Sequence, residues 1–399
     1  MQRVVVLGGG VGGTLAANLI ARKLKHEISA GQAKVTVVDA TGSHAYQPGY
    51  MYIAMGSERP EKLVKPEKSL LDGNVELVID TATRIDAAGG TVSLGSGVTM
   101  AFDQLVIALG SRILPGDLAN FEGEAHHFYT PEAAARLRGA LDAFEGGKIV
   151  IGIAGIPYKC PPAPLEVAFL IESELRQRGL RDRTELTFLS PINRAFTIES
   201  VSDMATPIFE QKGIRLELLA GVSEIDAERK VVITDAFEEH PYDLLICVPP
   251  HKGAQVLIDS GLAPKSGWLP TDRATLQVKT VAKPAPGTAD EDVPRYLNVY
   301  ALGDTTDLPL SKAGSTAHFE APVVAERVAA SVQGRAPEAK EATYVGKVMC
   351  FFEVGDGKGT LLQFDYNHPP KPPKPSALWH IGKIMFNKTY WRTVPRGRV

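Results

Sequence analysis

RVVVLGGGVGGTLAA, residues 3–17, sets an apolar run, a cluster of glycines and a helix-compatible run in immediate succession. Val4 to Leu7 reads as a buried parallel strand, because apolar residues fill successive positions instead of alternate ones. Gly8, Gly10 and Gly13 then form G-x-G-x-x-G on a strand-to-helix turn, with Gly12 inside it, and that context is the one in which the pattern binds a dinucleotide. Gly8 permits the tight turn, Gly10 lets the backbone approach a pyrophosphate, and Gly13 allows close helix packing. The helix N-terminus offers its free N–H groups to the anion. The next strand, Val35 to Val38, ends in Asp39, a carboxylate placed to accept hydrogen bonds from a ribose. Asp39 lies further from the glycines than the usual spacing of about 20 residues, and Lys25 to Ala33 accounts for the excess as a longer connection.

Working outward, Val75 to Ile79, Thr91 to Leu94 and Leu105 to Leu109 read as strands, the last ending in Ala108-Leu109-Gly110 where the chain leaves its first domain. Between them, Ser43 to Gly56 is aromatic and loop-like, suited to lining a cofactor. Thr130-Pro131 predicts an N-cap with proline at the first helical position, opening a helix through Phe144. A second strand-turn-helix follows, with Lys148 to Ile153 as strand and Leu165 to Arg178 as helix. Its turn holds Pro157, Pro161, Pro162 and Pro164 around Cys160. Prolines remove N–H donors and fix the chain where a second dinucleotide would need glycine, so that nucleotide site reads as disabled. Glu185 to Leu189, Leu216 to Leu219, Val231 to Ile233 and Leu244 to Val248 complete this unit. Lys283 to Pro294 reads as a Pro-rich, acidic surface loop. Leu297 to Leu302 is a further buried strand ending in Gly303-Asp304, and Ala317 to Val332 a helix. The fold class is therefore α/β: two Rossmann-like dinucleotide-binding domains in tandem, the first discontinuous, plus a C-terminal tail region. The boundaries predicted are 1–112 and 266–340 for the first domain, 113–265 for the second, degenerate one, and 341–399 for the C-terminal region.

Composition excludes several classes. The net charge of −3 over 399 residues gives no general attraction to nucleic acid. Three cysteines, Cys160, Cys247 and Cys350, are too few for a disulfide framework or a zinc site, and no metal site is expected. The first strand starts within three residues of Met1, leaving no room for a signal peptide. No apolar stretch reaches the roughly 18 residues of a membrane span. The tail differs: after the proline linker 367–375, SALWHIGKIMFNKTYWRTVPRGRV mixes aromatic and basic residues, without one acid from Lys371 onward. That suits an anionic membrane surface, although at 100° per residue the apolar positions form no single clean stripe. The alternative is a tail docked on the body. The expectation is a peripheral protein of the cytoplasmic membrane.

Gly8 to Gly13, Asp39, Ala108-Leu109-Gly110 and Gly303-Asp304 together resemble the two-dinucleotide-domain pyridine nucleotide-disulfide oxidoreductases. Cys160-Pro161-Pro162, Cys350 and the lost second fingerprint are similar to the sulfide:quinone oxidoreductase and flavocytochrome c sulfide dehydrogenase branch of that family. The resemblance implies noncovalent FAD, since the cysteine that carries covalent flavin in some relatives has no counterpart here. It implies Gly8, Gly10, Gly12 and Gly13 at the FAD pyrophosphate, Asp39 at the ribose, and Ala82 at the adenine. Ala108 and Gly110 would pass near the pyrophosphate and Pro48 near the flavin ring, with Gly303 and Asp304 at the ribityl chain and Lys312 at the pyrimidine edge. Cys160 and Cys350 would be the redox pair, with Lys159 as the cation favouring a thiolate, and Phe351 would stack quinone. Cys247, within an apolar run, reads as an inert thiol, and His127 as the histidine best suited to carry a proton. His126-His127-Phe128-Tyr129 stands where quinone-reducing relatives carry a third cysteine. The partners implied are sulfide, quinone and a membrane, with room for a homo-oligomer. The alternatives are a type II NADH:quinone oxidoreductase, a soluble sulfide dehydrogenase with a cytochrome acceptor, and a non-enzymatic flavin sensor.

Overall fold

The computed structural model describes residues 1–280 and 293–398. The acidic loop expected at 283–294 falls outside them except for its last two residues. β1 (Gln2–Leu7) runs through the glycines into α1 (Val11–Lys23), and β2 (Ala33–Asp39), β3 (Val75–Ile79) and β4 (Gln104–Ile107) follow. β5 (Ser111–Ile113) leaves this unit. β6 (Ala125–His126), α2 (Pro131–Ala143), β7 (Gly147–Ile153), α3 (Ala163–Gln177), β8 (Thr184–Leu189), β9 (Arg215–Glu217) and β10 (Leu244–Val248) form the second. β11 (His251–Gly253) pairs with β5 as the chain returns. β12 (Gln277–Lys279), β13 (Arg295–Ala301) and α4 (Gly314–Val332) rejoin the first unit. A hairpin of β14 (Val348–Gly355) and β15 (Lys358–Phe364) and the helix α5 (Ala377–Thr389) finish the chain.

The first sheet has the order β12-β13-β4-β1-β2-β3, and the second β6-β10-β7-β8-β9. Both are parallel apart from the edge pair β12/β13. In each the strand that opens the glycine or proline turn, β1 or β7, is central, so its C-terminal end faces the crevice where strand order reverses and ligands bind. Val4 to Leu7 are at most 1% exposed, as a strand covered on both faces requires. Leu216 to Leu219 is shorter than expected: β9 ends at Glu217, and Leu219 takes a positive φ of 56° that breaks the ladder. The predicted cap on α2 forms, with the Ala133 N–H donating to Thr130 Oγ1 at 3.2 Å and Pro131 in the first turn.

Candidate active site

The glycine turn is packed on three sides and open on the fourth. A Cβ on Gly8, whose φ is +99°, would lie 2.4 Å from the Ala108 carbonyl, and one on Gly13 only 1.9 Å from the Gly8 carbonyl. A Cβ on Gly12 would meet Leu302 at 2.3 Å and Ala317 at 3.2 Å, so the start of α1 is pressed on the start of α4. Gly10 alone among the three motif glycines has nothing within 4 Å, which leaves its backbone N–H groups approachable. Asp39 braces this turn: its carboxylate accepts N–H groups from Gly9 at 2.8 Å, Thr41 at 2.9 Å and Gly42 at 2.7 Å. Burial works against the charge, and these donors outweigh it, holding the carboxyl below its ordinary range. Beneath the turn, the Thr14 hydroxyl reaches Glu67 at 2.7 Å, Glu67 reaches His44 at 3.1 Å, and His44 Nε2 meets the Tyr390 hydroxyl at 2.8 Å. The end of the chain is thus tied to the first turn of α1.

The residues fit a flavin dinucleotide. Gly110, at φ +64°, has open space where a Cβ would stand. Next to it Ser111 Oγ, and further along Thr305 Oγ1, Glu320 Oε1 and His251 Nε2, are buried polar atoms without a partner among the described residues. Such atoms are costly unless something satisfies them. Glu320 Oε2 accepts the Gly303 N–H, and burial, opposed by that bond and by Lys312, pushes its carboxyl up to about 8. Asp304 is pushed up by burial against the pull of Lys159 and Lys312. Pro48 lies in the one-turn helix Gln47–Gly49, and Ala82 opens the strand Ala82–Asp86. Because space at Gly10 is open, Gly10→Val is expected to fold with an unchanged melting temperature yet purify with FAD occupancy reduced at least about tenfold, read from the ratio of flavin to protein absorbance.

Cys160 sits in the proline turn at φ 51°. Its N–H donates to the Lys312 carbonyl at 2.7 Å, and Ala154 N–H donates to the Val248 carbonyl at 3.0 Å. Two donors of the turn are therefore spent inside the protein. Cys350 lies in β14 opposite Leu362, with its Sγ 3.2 Å from Ser315 Oγ at the start of α4. Both thiols are unpaired and half-buried. The same buried pair, Glu166 and Lys383, acts on the charge of both. Burial pushes both thiols up, and the Glu166 carboxylate pushes the same way. The cation that opposes this is Lys383, which corrects the role expected of Lys159: the Lys159 ammonium points to Gln47 Oε1 at 3.4 Å and to the Asp304 charge. Cys247 is fully buried, as an inert thiol would be. His127 is buried, accepts the Tyr129 N–H at 3.2 Å, and is pushed down to about 4 by burial and by Arg136, so it is neutral at pH 7.

Lys383 comes from α5, in the tail. Its ammonium donates to Glu166 Oε1, and the same oxygen accepts the Glu353 N–H at 2.7 Å. Glu353, 1% exposed, is held by Tyr52 at 3.1 Å and by His380 at 2.9 Å. Burial works against the Lys383 charge, but Glu166, Tyr52 and Glu353 overcome it and keep the lysine protonated. Phe351 turns to α5, where a Cβ on Gly382 would touch its ring at 3.1 Å and the Phe386 ring lies 6.1 Å away. The tail is neither wholly free nor featureless. Tyr390 is buried against Tyr46, with ring centroids 4.2 Å apart, and Asn18 donates to the Pro395 carbonyl at 2.7 Å. Helix α5 ends at Thr389, so Tyr390 and Trp391 leave the helical phase; what remains is one outward stripe, Leu378, Ile381 and Met385, exposed by 71%, 52% and 61%. The disorderly apolar pattern of the sequence is two surfaces in series.

Comparison with known proteins agrees with this architecture. The sequence profile of the pyridine nucleotide-disulphide oxidoreductases matches residues 2–155, from β1 to just past the end of β7. It is 23% identical to the mitochondrial sulfide:quinone oxidoreductase of Mus musculus, over 99% of this chain and 86% of that protein. It is 24% identical to the sulfide-quinone reductase of Aquifex aeolicus, over 96% of this chain and 87% of the relative. The crystal structure of the sulfide:quinone oxidoreductase from Aquifex aeolicus superposes with a TM-score of 0.82 at 22% identity, covering 100% of this chain and 92% of that one. The profile match and these relatives together imply a flavin cofactor and oxidoreductase chemistry. Sequence reasoning had no signal for Glu166, Ser315, Glu353 or Lys383, since nothing in their spacing announces that they meet.

Proposed function

We propose that the chain is an FAD-dependent sulfide:quinone oxidoreductase in which Cys160 and Cys350 form the redox pair. What supports this reading is that one short segment holds both residues: the Cys160 N–H donates to the Lys312 carbonyl at 2.7 Å, and Cys350 Sγ lies 3.2 Å from Oγ of Ser315, three residues after Lys312. Gly8, Gly10, Gly12, Gly13, Asp39, Ala82, Ala108 and Gly110 would hold the dinucleotide, noncovalently, and Pro48, Gly303, Asp304 and Lys312 the flavin end. Bound FAD supplies the two-electron acceptor. The protein's own part begins with hydrosulfide attacking the oxidised pair: a bond forms to one sulfur, the bond between the cysteines breaks, and its electron pair stays on the other cysteine as a thiolate. Lys383 offsets that charge and Glu166 keeps Lys383 in place. Phe351, backed by Phe386, offers the apolar platform for quinone. The spent N–H donors of the proline turn speak against NADH. The experiment is steady-state reduction of a short-chain ubiquinone: sulfide should drive it and NADH should not, and NADH-driven turnover would sink the reading.

The outward stripe of α5 supports a membrane surface as the site of quinone exchange, and no described helix is long and apolar enough to cross a bilayer. Leu378→Glu together with Met385→Glu should abolish co-sedimentation with anionic vesicles while leaving turnover of a water-soluble quinone within about twofold, because both side chains point away from the body. Unchanged sedimentation would remove α5 as the contact.

A further inference from the structure

A quinone becomes a quinol by gaining two electrons and two protons, and hydrosulfide brings only one of those protons. The other comes from water and has to reach the apolar platform at Phe351. Phe351 and Glu353 stand two residues apart in β14, so their side chains share one face of the strand, about 7 Å apart, and that face meets α5. Glu353 is 1% exposed. No permanent cation is hydrogen-bonded to its carboxylate: Lys383 donates to Glu166 Oε1, while Glu353 is held by the Tyr52 hydroxyl at 3.1 Å and by His380 Nδ1 at 2.9 Å. The His380 side chain is 28% exposed, and among the described residues nothing is hydrogen-bonded to its Nε2. The imidazole therefore joins solvent on one side to a buried carboxylate on the other. The charged and titratable groups that face Glu353 are Tyr52 from the helix Tyr50–Ala54, Glu166 from α3, and His380 and Lys383 from α5. Burial pushes the Tyr52 hydroxyl up, and Lys383 stays protonated beside Glu166. Of these groups imidazole is the one that exchanges a proton with water most readily near neutral pH.

We propose that His380 and Glu353 are the proton inlet of the quinone site: His380 takes a proton from water and passes it through Nδ1 to Glu353, which gives it to a quinone oxygen. This deepens the function proposed above and rests on the quinone platform at Phe351. No electron moves in the relay. The Nδ1–H bond of the imidazolium breaks as an O–H bond forms on Glu353, and the neutral pair replaces the charged one. That O–H bond breaks in turn as the quinone oxygen is protonated, the two electrons reaching the quinone from the bound FAD. Glu353 is the general acid, and His380 acts through it.

The test is anaerobic stopped-flow reoxidation of the FAD-loaded full chain, its flavin first reduced by light with EDTA and then mixed with a short-chain ubiquinone. His380→Ala and His380→Gln should each regain flavin absorbance about tenfold more slowly than wild type. Gln keeps a donor for Glu353 but cannot relay a proton, so a merely structural His380 would tolerate it. Imidazole added to the buffer should restore His380→Ala and leave wild type unchanged. Ferricyanide, which takes electrons without protons, should reoxidise all three proteins at the same rate. A wild-type rate in His380→Gln, no gain from imidazole, or equal slowing with ferricyanide would overturn the proposal. Because light replaces sulfide, failure of the sulfide reading would show in turnover and leave this readout standing. Wild-type flavin that quinone does not reoxidise would sink the quinone reading and the relay with it.

Discussion

Replacing either Cys160 or Cys350 by Ser should lower sulfide-dependent quinone reduction by at least about a thousandfold, with FAD content unchanged. A serine oxygen cannot take part in thiol–disulfide exchange, so the exchange step is lost instead of slowed. The two single variants and the double variant should fall to the same residual rate, because the cysteines act as one unit. Neither side chain is among those proposed to hold the dinucleotide, the glycine turn and Asp39, and so the flavin spectrum serves as the internal control. Turnover retained in Cys350→Ser at even a tenth of wild type would mean that the pair is not the route of the electrons.

The largest effect on stability is expected at Glu166 and Lys383. Both are nearly solvent-free, at 2% and 7% exposure, and they join α3 to α5 near the end of the chain. Lys383→Met leaves the Glu166 carboxylate buried with only the Glu353 N–H, and removing one partner of a buried pair costs about 3–5 kcal/mol. Glu166→Gln with Lys383→Met should recover much of that, since two neutral groups need no compensation. Thermal unfolding of the two single variants and the double variant would show it. A double variant as unstable as the sum of its parts would mean that the two residues act independently. Because Lys383 also opposes negative charge on both thiols, the double variant should remain slow with sulfide even where its stability returns.

The parts of this molecule that repeat along the chain were legible in the sequence. Continuous apolar runs such as Val4 to Leu7 and Leu244–Val248 form strands at the positions read, because a strand covered on both faces needs no partner pattern to declare itself. The cap at Thr130 and the packed glycines at Gly8 and Gly13 are equally local. What the sequence hid is non-local chemistry: Glu166 and Lys383 stand 217 residues apart, and His44 and Tyr390 stand 346 apart. A buried Glu in an amphipathic helix looks like a surface Glu until its partner is placed. Lys159 misled for the same reason, since adjacency along the chain is not adjacency of side chains across a tight turn. The tail misled by phase: a helix ending at Thr389 followed by aromatics turned inwards resembles a poor amphipathic helix when read as one segment.

The central claim, that sulfide electrons enter through the cysteine pair into a bound flavin and leave to quinone, is tested most directly by anaerobic titration of the purified protein. The flavin absorbance near 450 nm is followed during addition of sulfide and, separately, of NADH. Sulfide should bleach the flavin at about one equivalent per protein, quinone should restore the colour, and NADH should do nothing. Bleaching by NADH, or sulfide bleaching that persists in Cys160→Ala, would contradict the account.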